Sequence, residues 1–256
     1  MILHAVERGA GPPVALLHGL FGQAVNFATV QRRLGERFRT LALDLRNHGM
    51  SPHAPTMTLA EMAEDVRATL RAHDALPCAL VGHSLGGKVA MTAALQAPDA
   101  VPRLLVGDIA PVVYGGHGAQ YERYLAAMAA LPLTPGLTRA AAEAALAAAV
   151  PDAAVRAFLL QSLQPGAAPR WRINLAGIGA SLPEILGWAA PAGATYAGPT
   201  LFLAGARSDY VRPEHRPAIR ALFPRARFAS LKSAGHWLHA DNADGFVAAV
   251  EGFLQA

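Results

Sequence analysis

The chain has 256 residues, enough to bury one sizeable core, and its 53% hydrophobic against 16% charged residues exclude a disordered polymer. Its formal charge of +4 rests on 20 arginines and 2 lysines scattered along the whole sequence, with no basic run interleaved with aromatics, so nucleic acid is not an expected partner. The one cysteine, Cys78, excludes an internal disulfide, and the absence of a signal-like start or of about 18 consecutive apolar residues leads to the expectation of a soluble, cytoplasmic protein with no membrane partner.

Met1–Glu7 is predicted as an edge strand, Gly9–Pro13 as a turn and Val14–Leu17 as a short buried strand. That strand runs into His18-Gly19-Leu20-Phe21-Gly22, a glycine-flanked loop of the kind that turns a backbone amide toward a developing oxyanion, and Leu20 is the candidate donor. Val25–Phe38 places Phe27, Val30, Leu34 and Phe38 on one helical face, and Thr40–Leu43 is the next strand. The polar loop Asp44–Pro52 that follows is expected to be a loop-fixing hydrogen-bond network rather than catalytic. Thr58 with Glu61 three residues on reads as a capping box opening a helix to about His73.

Cys78-Ala79-Leu80-Val81 is a buried strand that stops on Gly82-His83-Ser84-Leu85-Gly86, and Leu85–Ala97 continues as a buried helix. A serine hydroxyl is a poor nucleophile, so it must be lifted from the core toward a base, with free amides beside it. The G-x-S-x-G elbow does this, with Ser84 in a strained strand-to-helix turn and the Leu85 amide as second oxyanion donor. Pro102–Asp108 is the next strand, ending in Asp108-Ile109-Ala110-Pro111. The alternation of strands and helices to this point implies an α/β fold with a mostly parallel sheet covered on both faces.

From Val112 to Tyr196 no strand is predicted, only alanine-rich helical segments broken by prolines. Residues 112–196 are therefore expected to form a helical cap over the carboxyl ends of the strands, with 1–111 and 197–256 making the core domain. The sheet resumes at Thr200–Gly205, whose loop Ala206–Val211 carries Asp209, followed by a helix at Pro213–Leu222 and a strand at Ala226–Leu231. Gly235-His236 sits in the last loop, before a closing helix at Asp244–Leu254. Serine, then acid, then histidine, each just past a strand, is the chain order of a hydrolytic triad. Here His236 is the general base for Ser84, and either Asp108 or Asp209 can be the acid.

These segments together resemble the α/β-hydrolase superfamily over the full length. The resemblance is carried by His18-Gly19-Leu20-Phe21-Gly22, Asp44-Leu45-Arg46-Asn47-His48-Gly49, Gly82-His83-Ser84-Leu85-Gly86-Gly87-Lys88, Asp108-Ile109-Ala110-Pro111, Trp171-Arg172-Ile173-Asn174 and Gly235-His236-Trp237-Leu238-His239-Ala240. More narrowly, the chain is similar to bacterial esterases akin to abhydrolase-domain-containing protein 11. The resemblance implies a helical cap inserted after the sixth strand, and it favours Asp108 over Asp209, because the Asp-Ile-Ala-Pro segment belongs to that group's pattern. The expected activity is cleavage of carboxylic esters or thioesters of small to medium acyl groups through an acyl-enzyme on Ser84. No metal or organic cofactor is implied, the partner is the small-molecule substrate, and the oligomeric state is left open. Phe21, Tyr114, Trp171, Trp188, Tyr210 and Trp237 are candidates to line an apolar pocket. The same triad also serves C-C bond hydrolases, lactonases and perhydrolases, and the fold also serves non-catalytic ligand binders. Dehalogenase and epoxide hydrolase chemistry are disfavoured, since those relatives carry aspartate where this chain has Ser84.

Overall fold

Side chains alternate between the two faces of a strand, and a run that is apolar at every position must be covered on both. The computed structural model, which describes residues 1–256, realises this in its central strands. The strands in chain order are β1 (Ala5–Arg8), β2 (Pro13–Leu17), β3 (Arg39–Leu43), β4 (Ala79–His83), β5 (Leu104–Gly107), β6 (Leu163–Gln164), β7 (Arg170–Trp171), β8 (Thr200–Gly205) and β9 (Ala226–Leu231). Seven of them form one sheet in the order β1-β3-β2-β4-β5-β8-β9. β1 runs antiparallel to β3, and every other neighbouring pair is parallel.

The helices are α1 (Ala28–Leu34), α2 (Leu59–Ala72), α3 (Leu85–Gln96), α4 (Gly118–Ala129), α5 (Arg139–Leu146), α6 (Ala153–Leu159), α7 (Leu175–Ala180), α8 (Leu182–Leu186), α9 (Arg216–Leu222), α10 (Leu238–Asp241) and α11 (Ala243–Gln255). Leu17, Leu43, Leu80, Leu104, Val106 and Phe202 share one core with α2, α3 and α9. Val14, Leu16, Ala42, Val81, Leu105 and Leu203 face the other way, into a core with α1 and α11. At the start of α2, Thr58 and Glu61 close the predicted capping box. No helix is long and apolar enough to cross a membrane.

Three sequence expectations are corrected. The insertion follows the fifth strand, not the sixth: only five extended runs precede Asp108, and the first already occupies the sheet edge. The segment 112–196 is not purely helical, since β6 and β7 form a two-residue antiparallel pair around Pro165-Gly166, where Gly166 adopts φ +115°. The helix expected to reach Phe38 stops at Leu34. There the Gly9 turn presses so close that a Cβ on Gly9 would lie 2.3 Å from the Gly35 carbonyl oxygen.

The inserted segment does not fold around a large core of its own. Five residues of it make a small cluster, whereas Tyr124, Leu125, Met128, Ile173, Ile178, Leu182 and Ile185 merge into the larger of the two sheet cores. Asn174 fastens it at one corner: its amide N–H reaches the Asn47 carbonyl (2.9 Å), its Nδ2 reaches Asn47 Oδ1 (3.0 Å), and its Oδ1 caps α7 at Gly177.

Candidate active site

Ser84 sits between β4 and α3 with φ 52° and ψ −118°, a conformation costing a non-glycine residue of order 1–3 kcal/mol. The two elbow glycines make it possible. A Cβ on Gly82 would lie 2.2 Å from the Gly86 carbonyl oxygen, and one on Gly86 would lie 2.2 Å from that of Leu17. β4 therefore turns into α3 with no room for any side chain at either position.

β5 neighbours β4 in the sheet and ends one residue before Asp108, whose side chain is fully buried. His236 arrives from beyond β9, two strands farther along. Its loop crosses the end of β8 over Gly205, where a Cβ would meet the Gly235 carbonyl oxygen at 2.1 Å. The three side chains form one line: His236 Nδ1 donates to Asp108 Oδ2 (2.8 Å), and His236 Nε2 accepts from Ser84 Oγ (3.0 Å). Asp108 also accepts from the Gly205 amide (3.0 Å) and from the Ser208 hydroxyl. Asp209 is exposed and makes no contact with His236, so the structure brings together Ser84, His236 and Asp108. The backbone of His236 is held in turn, because His83 Nε2 donates to its carbonyl (2.6 Å).

The loop His18–Gly22 is braced from the polar segment after β3. Phe21, at φ 64°, donates its amide to His48 Nε2 (3.1 Å), and the Leu45 amide donates to His18 Nε2 (3.0 Å). Asp44 takes the Ala24 amide on one oxygen (2.6 Å) and the Met50 amide on the other (2.8 Å). Burial lowers the pKa of both histidines, His48 to about 3, so both rings stay neutral and both Nε2 atoms stay acceptors. With the Phe21 amide engaged, the Leu20 amide makes no hydrogen bond within the protein. The Leu85 amide is at the first position of α3 and has no partner in its own helix. Both border the space above Ser84.

Comparison with known proteins decides the lineage. The family model described as "alpha/beta hydrolase fold" matches residues 12–243. The chain belongs to the α/β-hydrolase fold family. It is 40% identical over 95% of its length to the sn-1-specific diacylglycerol lipase ABHD11 of Mus musculus, of which it covers 81%. It is 35% identical over 94% of its length to esterase YbfF of Escherichia coli strain K12, covering 92% of that protein. A solved structure titled "Marine microorganism esterase" superposes with a TM-score of 0.95 at 32% identity, over 98% of this chain and 99% of that one.

In this α/β-hydrolase a cavity of about 430 Å³ opens above Ser84 and His236, walled by Phe21 and Trp237 from the core and by Tyr121, Tyr124 and Phe158 from the inserted segment. A second, much smaller chamber of about 20 Å³ adjoins it at Ser84, beside Leu85, Ile109 and Tyr114. Tyr210 borders both. Two pocket candidates are corrected. Trp171 donates Nε1 to the Met128 carbonyl (3.1 Å) and pins β7 to α4, and Trp188 packs against the main core. Neither lines the two cavities at Ser84, because one ring ties β7 to α4 and the other packs on the main core.

Sequence reasoning missed Tyr121, His117 and Phe158, whose helices carry no motif, and gave Lys88 no role. Lys88 did carry a signal, being one of two lysines in the chain and the one charge in a helix otherwise apolar or small along its inner turns. It is buried, and its Nζ donates to the carbonyls of Ile185 (3.0 Å), Leu186 (3.0 Å) and Gly187 (2.7 Å). Burial lowers its pKa to about 7, with the Glu184 carboxylate pulling the other way.

Proposed function

We propose that this protein is a serine hydrolase that cleaves carboxylic esters or thioesters through an acyl-enzyme on Ser84. The observation that carries the reading is the unbroken line Ser84 Oγ, His236 Nε2, His236 Nδ1, Asp108 Oδ2 at the floor of a cavity. Ser84 Oγ attacks the acyl carbon while its proton passes to His236 Nε2, and the carbonyl oxygen takes the charge toward the Leu20 and Leu85 amides. Each such donor is worth about 3 kcal/mol of transition-state stabilisation. The tetrahedral species collapses, the bond to the leaving oxygen or sulfur breaks, and His236 returns the proton to it. Water then loses a proton to the same Nε2 and attacks the acyl-enzyme, freeing the acid and Ser84. Proton shuttling of this kind contributes about 10²- to 10⁴-fold, and Asp108 keeps the imidazole in the tautomer that accepts at Nε2.

The kinship with named esterases and a named lipase supports ester hydrolysis over the other chemistries that run on the same three side chains. The test is covalent labelling with a fluorophosphonate, followed by peptide mapping, with p-nitrophenyl acetate turnover measured alongside. The wild type is expected to label at Ser84 and to hydrolyse the ester, and Ser84→Ala to do neither. A folded wild type that does neither refutes the reading.

A further inference from the structure

The hydrogen bonds that join α3 to the inserted segment all start from one atom. Lys88 Nζ donates to the carbonyls of Ile185, Leu186 and Gly187, the end of α8 and the residue after it. Gly187 leaves the helix with ψ 176°, and three successive carbonyls converge on one cation. An ammonium has three N–H donors, and all three are used here, at the end of a helix where a cation is favoured.

Stability alone does not call for a lysine at this place. The side chain is buried, no carboxylate pairs with it, and Glu184, the one acid that acts on it, is exposed. A charge without an ionic partner is costly to bury, and an apolar side chain of similar length would fill the same space at lower cost.

The carbonyls that Lys88 holds lead back to the catalytic line. Lys88 stands one turn past the nucleophile, its amide donating to the Ser84 carbonyl (3.1 Å). The Leu186 carbonyl also accepts the Tyr114 amide (2.9 Å), and the ammonium lies 5.1 Å from the centre of the Tyr114 ring. The Tyr114 hydroxyl accepts from the Ala110 amide (2.9 Å) and donates to the Tyr210 carbonyl (2.6 Å), and the Tyr210 ring lies on that of His236. We infer that, given the hydrolysis at Ser84 on which this rests, Lys88 is a positioning residue: its ammonium seats α8 on the elbow helix and, through Tyr114 and Tyr210, holds the imidazole in line with the serine hydroxyl. With its three protons on carbonyls, Lys88 acts through these neighbours and not on the substrate.

The experiment is a double-mutant cycle on the whole chain, comprising the wild type, Lys88→Met, Tyr114→Phe and the double variant. Turnover of p-nitrophenyl acetate is expressed per active site titrated to completion with a fluorophosphonate, so that a lower folded fraction does not count as a lower kcat. Folded Lys88→Met is expected to lower kcat by about 10- to 100-fold, the cost of a misplaced reacting group, with KM held within about threefold. Tyr114→Phe, which loses the link to Tyr210, is expected to lower kcat by about 10-fold. The double variant is expected to lose little more than Lys88→Met alone, because two residues on one route do not add.

A folded Lys88→Met with the kcat of the wild type would overturn the inference, as would a loss confined to KM. Losses that multiply in the double variant would overturn it too, since the lysine would then act by another route. Where Lys88→Met does not fold, Tyr114→Phe decides: a kcat equal to the wild type's overturns the route, and the 10-fold loss upholds it. Fluorophosphonate labelling separates the two levels. A protein that labels at Ser84 and hydrolyses regardless of Lys88 keeps its hydrolase reading and loses this one, and a folded wild type that neither labels nor hydrolyses loses both.

Discussion

The ring of Tyr210 lies nearly flat against that of His236, with centroids 3.9 Å apart and planes inclined by 21°. Behind it the ring of His117 stacks at 4.6 Å, the Tyr121 hydroxyl meets the Tyr210 hydroxyl at 3.0 Å, and the Tyr114 hydroxyl donates to the Tyr210 carbonyl at 2.6 Å. Three residues of the inserted segment thus brace the face of the imidazole through one tyrosine. Misplacing a reacting group by about 1 Å can cost 10²-fold. Tyr210→Ala is expected to lower kcat by about 10- to 100-fold, while Tyr210→Phe, which keeps the ring, stays within a few-fold of wild type. Steady-state kinetics on both variants checks this, and equal kcat for alanine and phenylalanine would show that the stack does not position His236.

The two aspartates that the sequence offered are separated by their surroundings. Asp108 is fully buried on His236 Nδ1, while Asp209 is exposed one residue past Ser208. Asp108→Asn presents an amide that stabilises the wrong tautomer, and it is expected to cost about 10⁴ in kcat. Asp209→Asn is expected to change kcat by less than a few-fold. The reverse ranking would mean that the Asp108 contact is structural.

Ser84, His236 and the Leu20 loop were legible because each lies close to a glycine in the loop that follows a strand. The choice between Asp108 and Asp209 was not legible from spacing, since both follow strands. It turns on a side chain aimed inward, at 0% exposure, against one aimed out. The polar loop Asp44–Pro52 was rightly read as a bracing network, because so many donors at the end of a buried strand must find partners. The inserted segment was hardest to read. Its alanine-rich helices carry no period strong enough to say which faces meet the sheet, so Trp171 and Trp188 were expected in the pocket while Tyr121 and Phe158, which line it, were not.

Three buried histidines, His18, His48 and His83, and the half-buried His239 have their pKa values lowered by desolvation, His48 to about 3 and His239 to about 4. An unfolded imidazole titrates near 6.5. As pH falls below that value the unfolded chain binds protons that the folded chain refuses, so stability is lost with falling pH. The window runs from about 6.5 down to about 4 for His239 and to about 3 for His48. The slope is about 1.4 kcal/mol per pH unit for each such group. Urea unfolding at pH 7 and pH 5 is expected to show a clear drop at the lower pH, and His48→Gln a shallower one. Equal stability at the two pH values would mean that these rings are protonated in the folded state.

Gly86 and Gly252 are both helical glycines, and the structure gives them opposite predictions. A Cβ on Gly252, in the last turn of α11, meets nothing within 4 Å, so alanine there gains helix propensity worth less than about 1 kcal/mol. A Cβ on Gly86 would sit 2.2 Å from the Leu17 carbonyl oxygen and 2.7 Å from that of His18, both backbone atoms that no rotamer change can clear. Gly86→Ala must push α3 away from the end of β2, at a cost of about 1–3 kcal/mol, or roughly 2–12 °C in Tm for a chain of this size. The same push separates the Leu85 amide from the Leu20 amide, so activity should fall by more than the folded fraction does. Calorimetry with active-site titration measures both. A Gly86→Ala protein as stable and active as Gly252→Ala would mean that β2 and α3 are not in the close contact on which the oxyanion site depends.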